Sequence, residues 1–154
     1  MSASDADVPV PGQVLEHTGV FRLRVPAGWA ASGLEGHRYR VRGEDVTLDV
    51  SVHRGAQPAP DARATVLAHA RDAGAPDGLA TLPLHGDDEP TEQRAGVRWS
   101  DDEGWHVAGA LCRGHDVVLV TALAADDEQR AAVERVVTTL EPHDRPARWW
   151  RRRR

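Results

Sequence analysis

Three amino acids are missing from this sequence: lysine, asparagine and isoleucine do not occur among its 154 residues. All 19 basic residues are therefore arginines, and valine takes most of the β-branched positions. A GC-rich genome produces this bias, so we interpret it first as a codon signature. The remaining composition, 40% hydrophobic and 28% charged residues, is that of an ordinary globular chain with one domain.

Cysteine and long apolar segments are also scarce. Cys112 is the only cysteine, which excludes an internal disulfide and a zinc site built from several thiolates. The longest apolar run, 117–125, is interrupted by Thr121 and is too short to cross a bilayer. Residues 1–12 are acidic and rich in proline, without the basic and apolar regions of a signal peptide. We therefore expect a cytoplasmic protein.

Charge is divided unevenly between the body and the end of the chain. The formal net charge is −5, but residues 143–154 contain six arginines and a single acidic residue, Asp144. Residues 1–142 therefore carry a net charge of −10. Such a body repels phosphate groups, which argues against specific nucleic-acid binding. The arginine-rich tail has to be interpreted separately.

Hydrophobic periodicity divides the chain into a disordered lead-in at 1–13, one domain at 14–142 and the tail at 143–154. Within the domain, apolar spacing predicts a helix at 62–73 after the N-cap Asp61, and a second from the N-cap Asp126 to Leu140. Alternation of apolar and polar residues predicts the strands. The predicted strands are 21–25, 37–42, 46–53, 79–84, 93–100, 104–112 and 116–123.

This order, β-β-β-α-β-β-β-β-α, predicts a fold of the α+β class. The last three strands are joined by short turns around Asp102 and Gly114, which indicates an antiparallel meander. The segment 117–120 is apolar on both faces, so we expect it in the middle of the sheet and covered on both sides. The sequence thus predicts an antiparallel β-sheet flanked by two helices.

The residue types of a hydrolase triad occur together, as Asp49, Ser51 and His53, on one predicted strand. Residues two apart on a strand are separated by about 6.6 Å, and their side chains run parallel instead of converging. The chain also lacks a G-x-S-x-G motif. We interpret the three residues as a solvated strand face and predict that the protein is not an enzyme.

Metal and nucleotide sites are not indicated either. The eight histidines form no H-x-H, H-x-x-x-H or H-E-x-x-H motif, and His53, His106 and His115 would meet only through the tertiary fold. The acidic turns at 87–89 and 101–103 lack the ligand spacing of a calcium loop. The glycines are scattered among turns and form no phosphate-binding loop. We therefore predict no metal and no cofactor.

Arginines dominate one side of two predicted strands. If strands 21–25 and 37–42 pair as a hairpin, five guanidinium groups point to one side and form an anion-binding or partner-binding face. Asp49, on the next strand, could neutralise part of this face, and a solvated or salt-bridged surface is the alternative. The five candidate residues are Arg22, Arg24, Arg38, Arg40 and Arg42.

The tail combines paired tryptophans with a cluster of arginines. Indole rings favour the headgroup level of a membrane and guanidinium groups favour lipid phosphates, so the tail could bind an anionic membrane weakly. It could equally contact nucleic acid, fold back on the acidic body, or only aid solubility. The candidate residues for an anionic surface are Trp149, Trp150, Arg151, Arg152, Arg153 and Arg154.

Several segments resemble the PsbP-like α/β/α sandwich superfamily. The segments that carry the resemblance are Phe21-x-Leu23-x-Val25-Pro26-x-Gly28-Trp29, 48–54, the loop at Pro58, 96–99, 117–121 and 126–140. They cover residues 14–142 in order, as patterns of hydrophobic spacing. Within the superfamily, the chain's size and its lack of a signal peptide are most similar to the DUF1795 group of small cytoplasmic bacterial proteins.

The resemblance implies binding and no catalysis. The superfamily includes an extrinsic photosystem II subunit, a Ran-binding nuclear import factor, bacterial lipoproteins, and DUF1795 chaperones that shield transmembrane segments of type VI secretion effectors. The arginine tail and the arginine-rich strands depart from that last group. We therefore expect a non-catalytic, chaperone- or adaptor-like domain with a protein client. The alternative is a peripheral membrane or anionic-ligand binding protein that uses the tail.

Overall fold

Ten strands and two helices make up the part of the chain that the computed structural model describes, residues 12–84 and 93–144. The helices are α1 (Ala62–Asp72) and α2 (Asp127–Val137). The strands are β1 (Gln13–His17), β2 (Phe21–Val25), β3 (Ala30–Leu34), β4 (Arg38–Arg42), β5 (Thr47–Arg54), β6 (Ala80–Thr81), β7 (Arg94–Asp101), β8 (Gly104–Arg113), β9 (Asp116–Ala124) and β10 (Glu141–Pro142). The predicted α+β class is confirmed.

The strands form two antiparallel sheets. The larger sheet has seven strands in the order β3-β4-β5-β9-β8-β7-β6, and the smaller has three in the order β1-β2-β10. The strand β9 occupies the centre of the larger sheet, where it pairs with β5 on one side and β8 on the other. The two-sided apolar pattern of 117–120 predicts this central position, and the prediction is confirmed.

The two helices lie on opposite faces of the larger sheet. Because side chains alternate along a strand, β8 sends Val107 and Leu111 into the core beneath α2 and the smaller sheet. Its intervening residues Ala108 and Ala110 enter a second core beneath α1. The sheet is therefore flanked by helices, as predicted, and the smaller sheet adds cover on the α2 side. No helix of the described ranges is long and apolar enough to cross a membrane.

Both predicted N-caps are present. The Asp61 carboxylate accepts hydrogen bonds from the amides of Arg63 and Ala64, at 2.7 and 3.3 Å. The Asp126 carboxylate accepts one from the amide of Gln129 at 2.8 Å. These bonds satisfy amides that have no partner within the helix, so the two aspartates fix where each helix begins.

Some boundaries and three strands differ from the prediction. The second helix ends at Val137, and Glu141–Pro142 turns back to pair with β2 as β10. The strand β3 was not predicted, because Ala30–Leu34 contains neither alternation nor β-branched residues. β1 begins at Gln13, one residue before the predicted start of the domain, and was not predicted either.

The predicted hairpin between β2 and β4 does not exist. The strand β2 pairs with β1 and β10 in the smaller sheet, whereas β4 pairs with β3 and β5 in the larger one. The reason is β3, which folds back through the turn at Gly36 and occupies the edge of β4. Alternation identifies a strand but does not determine its neighbour.

The remaining differences concern the loops. Only Ala80–Thr81 of the predicted strand 79–84 is extended, as β6 at the edge of the larger sheet. The first acidic turn, 87–89, and the tail from residue 145 onward lie outside the described residues, as does most of the lead-in. The membrane-binding prediction for Trp149, Trp150, Arg151, Arg152, Arg153 and Arg154 therefore stays a prediction.

Gly109, in the middle of β8, sets how closely α2 approaches the sheet. A Cβ atom at this position would lie 2.6 Å from Cγ1 of Val137, which is fully buried. Val137 belongs to the main core, so it has little room to move away. The absence of a side chain at Gly109 is thus a packing requirement of the helix–sheet contact.

We predict that Gly109→Ala lowers the free energy of unfolding by about 1–3 kcal/mol, the usual effect of overpacking a core. The measurement is urea denaturation of the wild type, of each single variant (Gly109→Ala, Val137→Ala) and of the double variant. If the contact is the cause, the double variant is destabilised less than the two single effects added together. Strict additivity would contradict this explanation.

Candidate functional site

The helix α1 covers only about half of its face of the larger sheet. It packs on β7 and β8, and β3, β4, β5 and the far part of β9 remain uncovered. We call this uncovered half the open face. Its side chains alternate with the buried residues Val41, Leu48 and Val50, which point to the opposite core. The open face consists of Ala30, Ser32, Leu34, Arg38, Arg40, Arg42, Thr47, Asp49, Ser51, Leu119, Thr121 and Leu123.

A groove runs across the open face. One depression of about 220 Å³ lies between Leu34 and Leu119 and is lined by the stems of Arg38 and Arg40. A second, of about 460 Å³, extends to the end of α1. Asp49 and Thr121 line both depressions, so the two lie next to each other, and we refer to them together as the groove. Leu34 and Leu123 are among the few exposed large apolar residues of the described chain, and they lie on this face.

The open face carries an excess of positive charge. Nε of Arg40 lies 2.8 Å from Oδ1 of Asp49, so the neutralisation expected at this position occurs. Arg38 donates only to the carbonyl of Glu35, at 3.2 Å. Across residues 12–84 and 93–144, neither Arg38 nor Arg42 forms an ion pair. Two carboxylates line the groove, Asp49 and Asp45, against the three guanidinium groups of β4. Arg38 and Arg42 are therefore the two arginines of this face that can bind another anion.

Arg22 and Arg24 do not join this surface. Their neighbours Phe21, Leu23 and Val25 enter the core beneath the smaller sheet, so both arginines point outward on the opposite side of the molecule. Arg22 also has carboxylates of its own, at 3.8 Å from Glu16 and 3.5 Å from Glu141. The predicted face of five arginines is therefore wrong as one surface, because its strands belong to different sheets.

The triad residue types lie side by side, as predicted from their spacing. Asp49 and His53 are exposed on β5, and Ser51 is half-buried between them. The carboxylate that would have to orient a histidine is bound to Arg40 instead. This arrangement provides a polar binding surface and no nucleophile–base pair.

An aromatic stack closes the end of the groove next to α1. The rings of Trp99 and His106 lie parallel, with centroids 4.8 Å apart, and His69 of α1 tilts against Trp99 at 6.2 Å. Nε2 of His106 lies 2.8 Å from the Asp101 carboxylate. No local pattern in the sequence indicates this stack, because its members come from α1, β7 and β8.

The second acidic turn brings three possible ligands together. Within the described residues, Asp101, Glu103 and His106 are the one group whose ligand atoms are close enough to share a cation. Asp101 already accepts a hydrogen bond from the amide of Glu103 and lies against His106, and both interactions lower its pKa. Both acidic residues are exposed, and exposed acidic groups are common on protein surfaces without a bound ion, so this group carries no proposal of a metal site.

A second polar cleft, of about 420 Å³, lies where β1 of the smaller sheet meets the larger sheet. Nδ1 of His17 lies 2.9 Å from the Tyr39 hydroxyl, and the His37 ring lies 5.6 Å from that of His17. Burial lowers the pKa of His17, and the neighbouring His37 lowers it further. Opposite them, Arg54 binds both oxygens of Asp116, at 2.7 and 2.8 Å, which lowers the pKa of that carboxyl. The contact between His17 and Tyr39 joins the two sheets, whereas the pair Arg54–Asp116 lies within the larger one.

His69, at the end of the groove, makes stability depend on pH. Burial lowers its pKa below the ordinary value of 6.5, Asp72 opposes this shift, and His106 adds to it. The unfolded chain therefore binds more protons than the folded chain near this pH. The contribution of His69 to the free energy of unfolding is complete above about pH 6.5 and is lost as the pH falls below that value.

We predict that His69→Gln reduces this loss of stability at acidic pH. The measurement is the urea midpoint of wild type and variant at about pH 7.5 and pH 5.5, on either side of the histidine pKa. The wild type should lose more stability between the two pH values than the variant does. His17 acts in the same direction and remains in both proteins, so a smaller loss should persist in the variant. Equal losses in the two proteins would show that His69 does not carry the effect.

Comparison with known proteins identifies the fold and nothing finer. No protein-family model matches the chain, and no curated protein matches it. A crystal structure from Bacteroides thetaiotaomicron VPI-5482 is similar to it, with a TM-score of 0.54 and 11% sequence identity over 86% of this chain. The match takes in 48% of that protein, so this chain spans about half its length. At this identity the similarity shows a shared mixed α/β fold.

Proposed function

We propose that this protein is a non-catalytic, chaperone- or adaptor-like protein-binding domain, and that it contacts its client through the open face. One observation carries the proposal: half of one sheet face is left uncovered, and it bears a row of three arginines of which only Arg40 is bound to a carboxylate. An acidic client segment would satisfy Arg38 and Arg42, and the exposed Leu34 and Leu123 would add apolar contact.

The chemistry of the open face supports binding. Its polar groups are spread along parallel columns and do not converge on one point, and Asp49 is already held by Arg40. A catalytic centre needs a nucleophile, a base and an oxyanion site within hydrogen-bond reach of one another. A row of evenly spaced guanidinium groups instead suits an extended, repeating partner.

The proposal includes membership of the PsbP-like superfamily and a place near the cytoplasmic DUF1795 proteins. It is supported by the antiparallel sheet with helices on both faces, and by the order of the segments that carry the resemblance. A cytoplasmic address agrees with a client-binding role of this kind. The arginine column of β4 distinguishes the chain from a chaperone for apolar segments, and it directs the proposal to an acidic client.

The test is affinity capture of the tagged full-length protein from a lysate of its own host. We predict that the wild type retains one stoichiometric partner at low and at moderate salt. The double variant Arg38→Glu/Arg42→Glu should lose that partner, because it replaces two attractive charges by two repulsive ones. Arg135→Glu is the matched control, since Arg135 is exposed on α2, on the opposite face of the sheet.

Two outcomes would count against the proposal. Capture of varied anionic material that salt removes would show that the binding is general electrostatic attraction and that no specific client is recognised. A stoichiometric partner that the double variant retains as well as the wild type does would move the contact away from the open face.

A further inference from the structure

The strand β3 is an edge strand without protection. It ends the larger sheet, all five of its residues are exposed, and its sequence, AASGL, contains no charge and no proline. Within the described chain nothing pairs with its outer side. Edge strands normally carry charges or proline, or are very short, because their free N–H and C=O groups attract other chains. The opposite edge, β6, follows that rule with only two residues.

The strand at the edge of the smaller sheet is better protected than β3. The strand β1 ends the smaller sheet but carries the charged Glu16, which lies 2.7 Å from His143, and the partly buried His17. The Gln13 side chain at its start is bonded to the carbonyl oxygen of Trp29. The strand β1 thus carries a charged residue and side chains that are bonded within the molecule, whereas β3 has neither of these protections.

We propose that β3 binds an extended acidic segment of a client protein as an additional strand of the sheet. This proposal rests on the proposed function, and it restricts the contact surface to one edge of the larger sheet. Main-chain hydrogen bonds to β3 supply the attachment, and carboxylates on alternate residues of the client face the arginines of β4. The occupant is therefore defined by its chemistry: acidic side chains at every second position.

The register of β3 and β4 makes this contact possible. Ala30 is paired with Arg42, Ser32 with Arg40, and Leu34 with Arg38. An added strand would lie about 4.8 Å beyond β3, so its side chains would stand about 10 Å from those of β4. The small side chains of Ala30 and Ser32 leave the path between them open. A glutamate and an arginine, both long, can meet across that gap.

The third position of the edge has a different character. Leu34 is 38% exposed and is paired with Arg38. An incoming strand therefore meets an open position at Ala30, beside the unpaired Arg42, a second at Ser32, beside Arg40, and an apolar position at Leu34. Because Nε of Arg40 already binds Asp49, an acidic residue beside Ser32 would share that guanidinium group with Asp49, and the acidic residue beside Ala30 is the one that gains an unpaired arginine.

Charge decides between such a segment and a second copy of this chain. Two copies joined antiparallel through β3 would bring two columns of arginines onto one face of a continuous sheet, separated by the small residues of the two edges. The two columns would be about 14 Å apart, three strand spacings, so the repulsion between them is largely screened. The strand β3 itself contains no carboxylate, so a second copy joined through it would bring no acidic partner to Arg42. An acidic segment brings that partner, and we therefore assign the edge to a client.

The test uses two short fluorescein-labelled peptides of equal composition, one with glutamate and valine in alternation and one with the glutamates in a block. Only the alternating peptide places every carboxylate on one face of a strand. We expect the block peptide to bind the full-length protein about fivefold more weakly, by fluorescence anisotropy. Arg42→Glu should weaken binding of the alternating peptide about tenfold, and Arg135→Glu should not change it.

Backbone methylation identifies the main-chain bonds. Two versions of the alternating peptide, N-methylated at the glutamates or at the valines, block one hydrogen-bonding edge of the strand each. Loss of binding by one version and retention by the other supports strand addition, because an added strand bonds to β3 through one edge only. Equal loss by both versions would show a general effect of methylation and would count against it. Retention of binding by both, or equal affinity of the block peptide, would overturn it while leaving a client on the open face intact. A dimer in sedimentation that the alternating peptide fails to dissociate would assign the edge to a second copy.

Discussion

The central strands of the larger sheet supply side chains to two cores at once. Each face of the sheet therefore needs its own cover, and the rest of the structure depends on how far each cover extends. Val118 and Val120 of β9 lie beneath α2 and the smaller sheet, while Val117 and Leu119 face the α1 side. On the α2 side the cover reaches as far as Val41 of β4 and leaves only β3 exposed at that end of the sheet. On the other side α1 reaches only β7, β8 and their border with β9, so the polar side chains of β4 and β5 stay in contact with water.

Local patterns were enough to predict most elements, because each is specified by neighbouring residues. The alternation from Val46 to Val52 defines β5, and Asp61 and Asp126 define where the helices begin. What the sequence could not supply was the neighbour of each strand. Ala30–Leu34 has no pattern of its own, yet by pairing with β4 it separates the arginines of that strand from those of β2.

The same distinction applies to the candidate site. The row of arginines on β4 and the partial neutralisation by Asp49 could be predicted, because both depend on alternation and adjacent strands. The aromatic stack at Trp99, by contrast, requires α1 to lie across β7 and β8. Whether the arginine face is open or covered also depends on the length and placement of α1, which no local pattern encodes. The binding role therefore follows from the part of the sheet that the fold leaves uncovered.

The account depends most directly on β3 being an unpaired edge of the larger sheet, and hydrogen exchange of the unliganded protein measures this. Amides of the central strand β9 are bonded on both sides and should exchange slowest. The amides of Ala30–Leu34 should exchange fastest among the strands of the larger sheet that are longer than two residues, since only one side of β3 is paired. Protection of Ala30–Leu34 comparable to that of β9 would mean that the edge is already covered, and it would contradict the account.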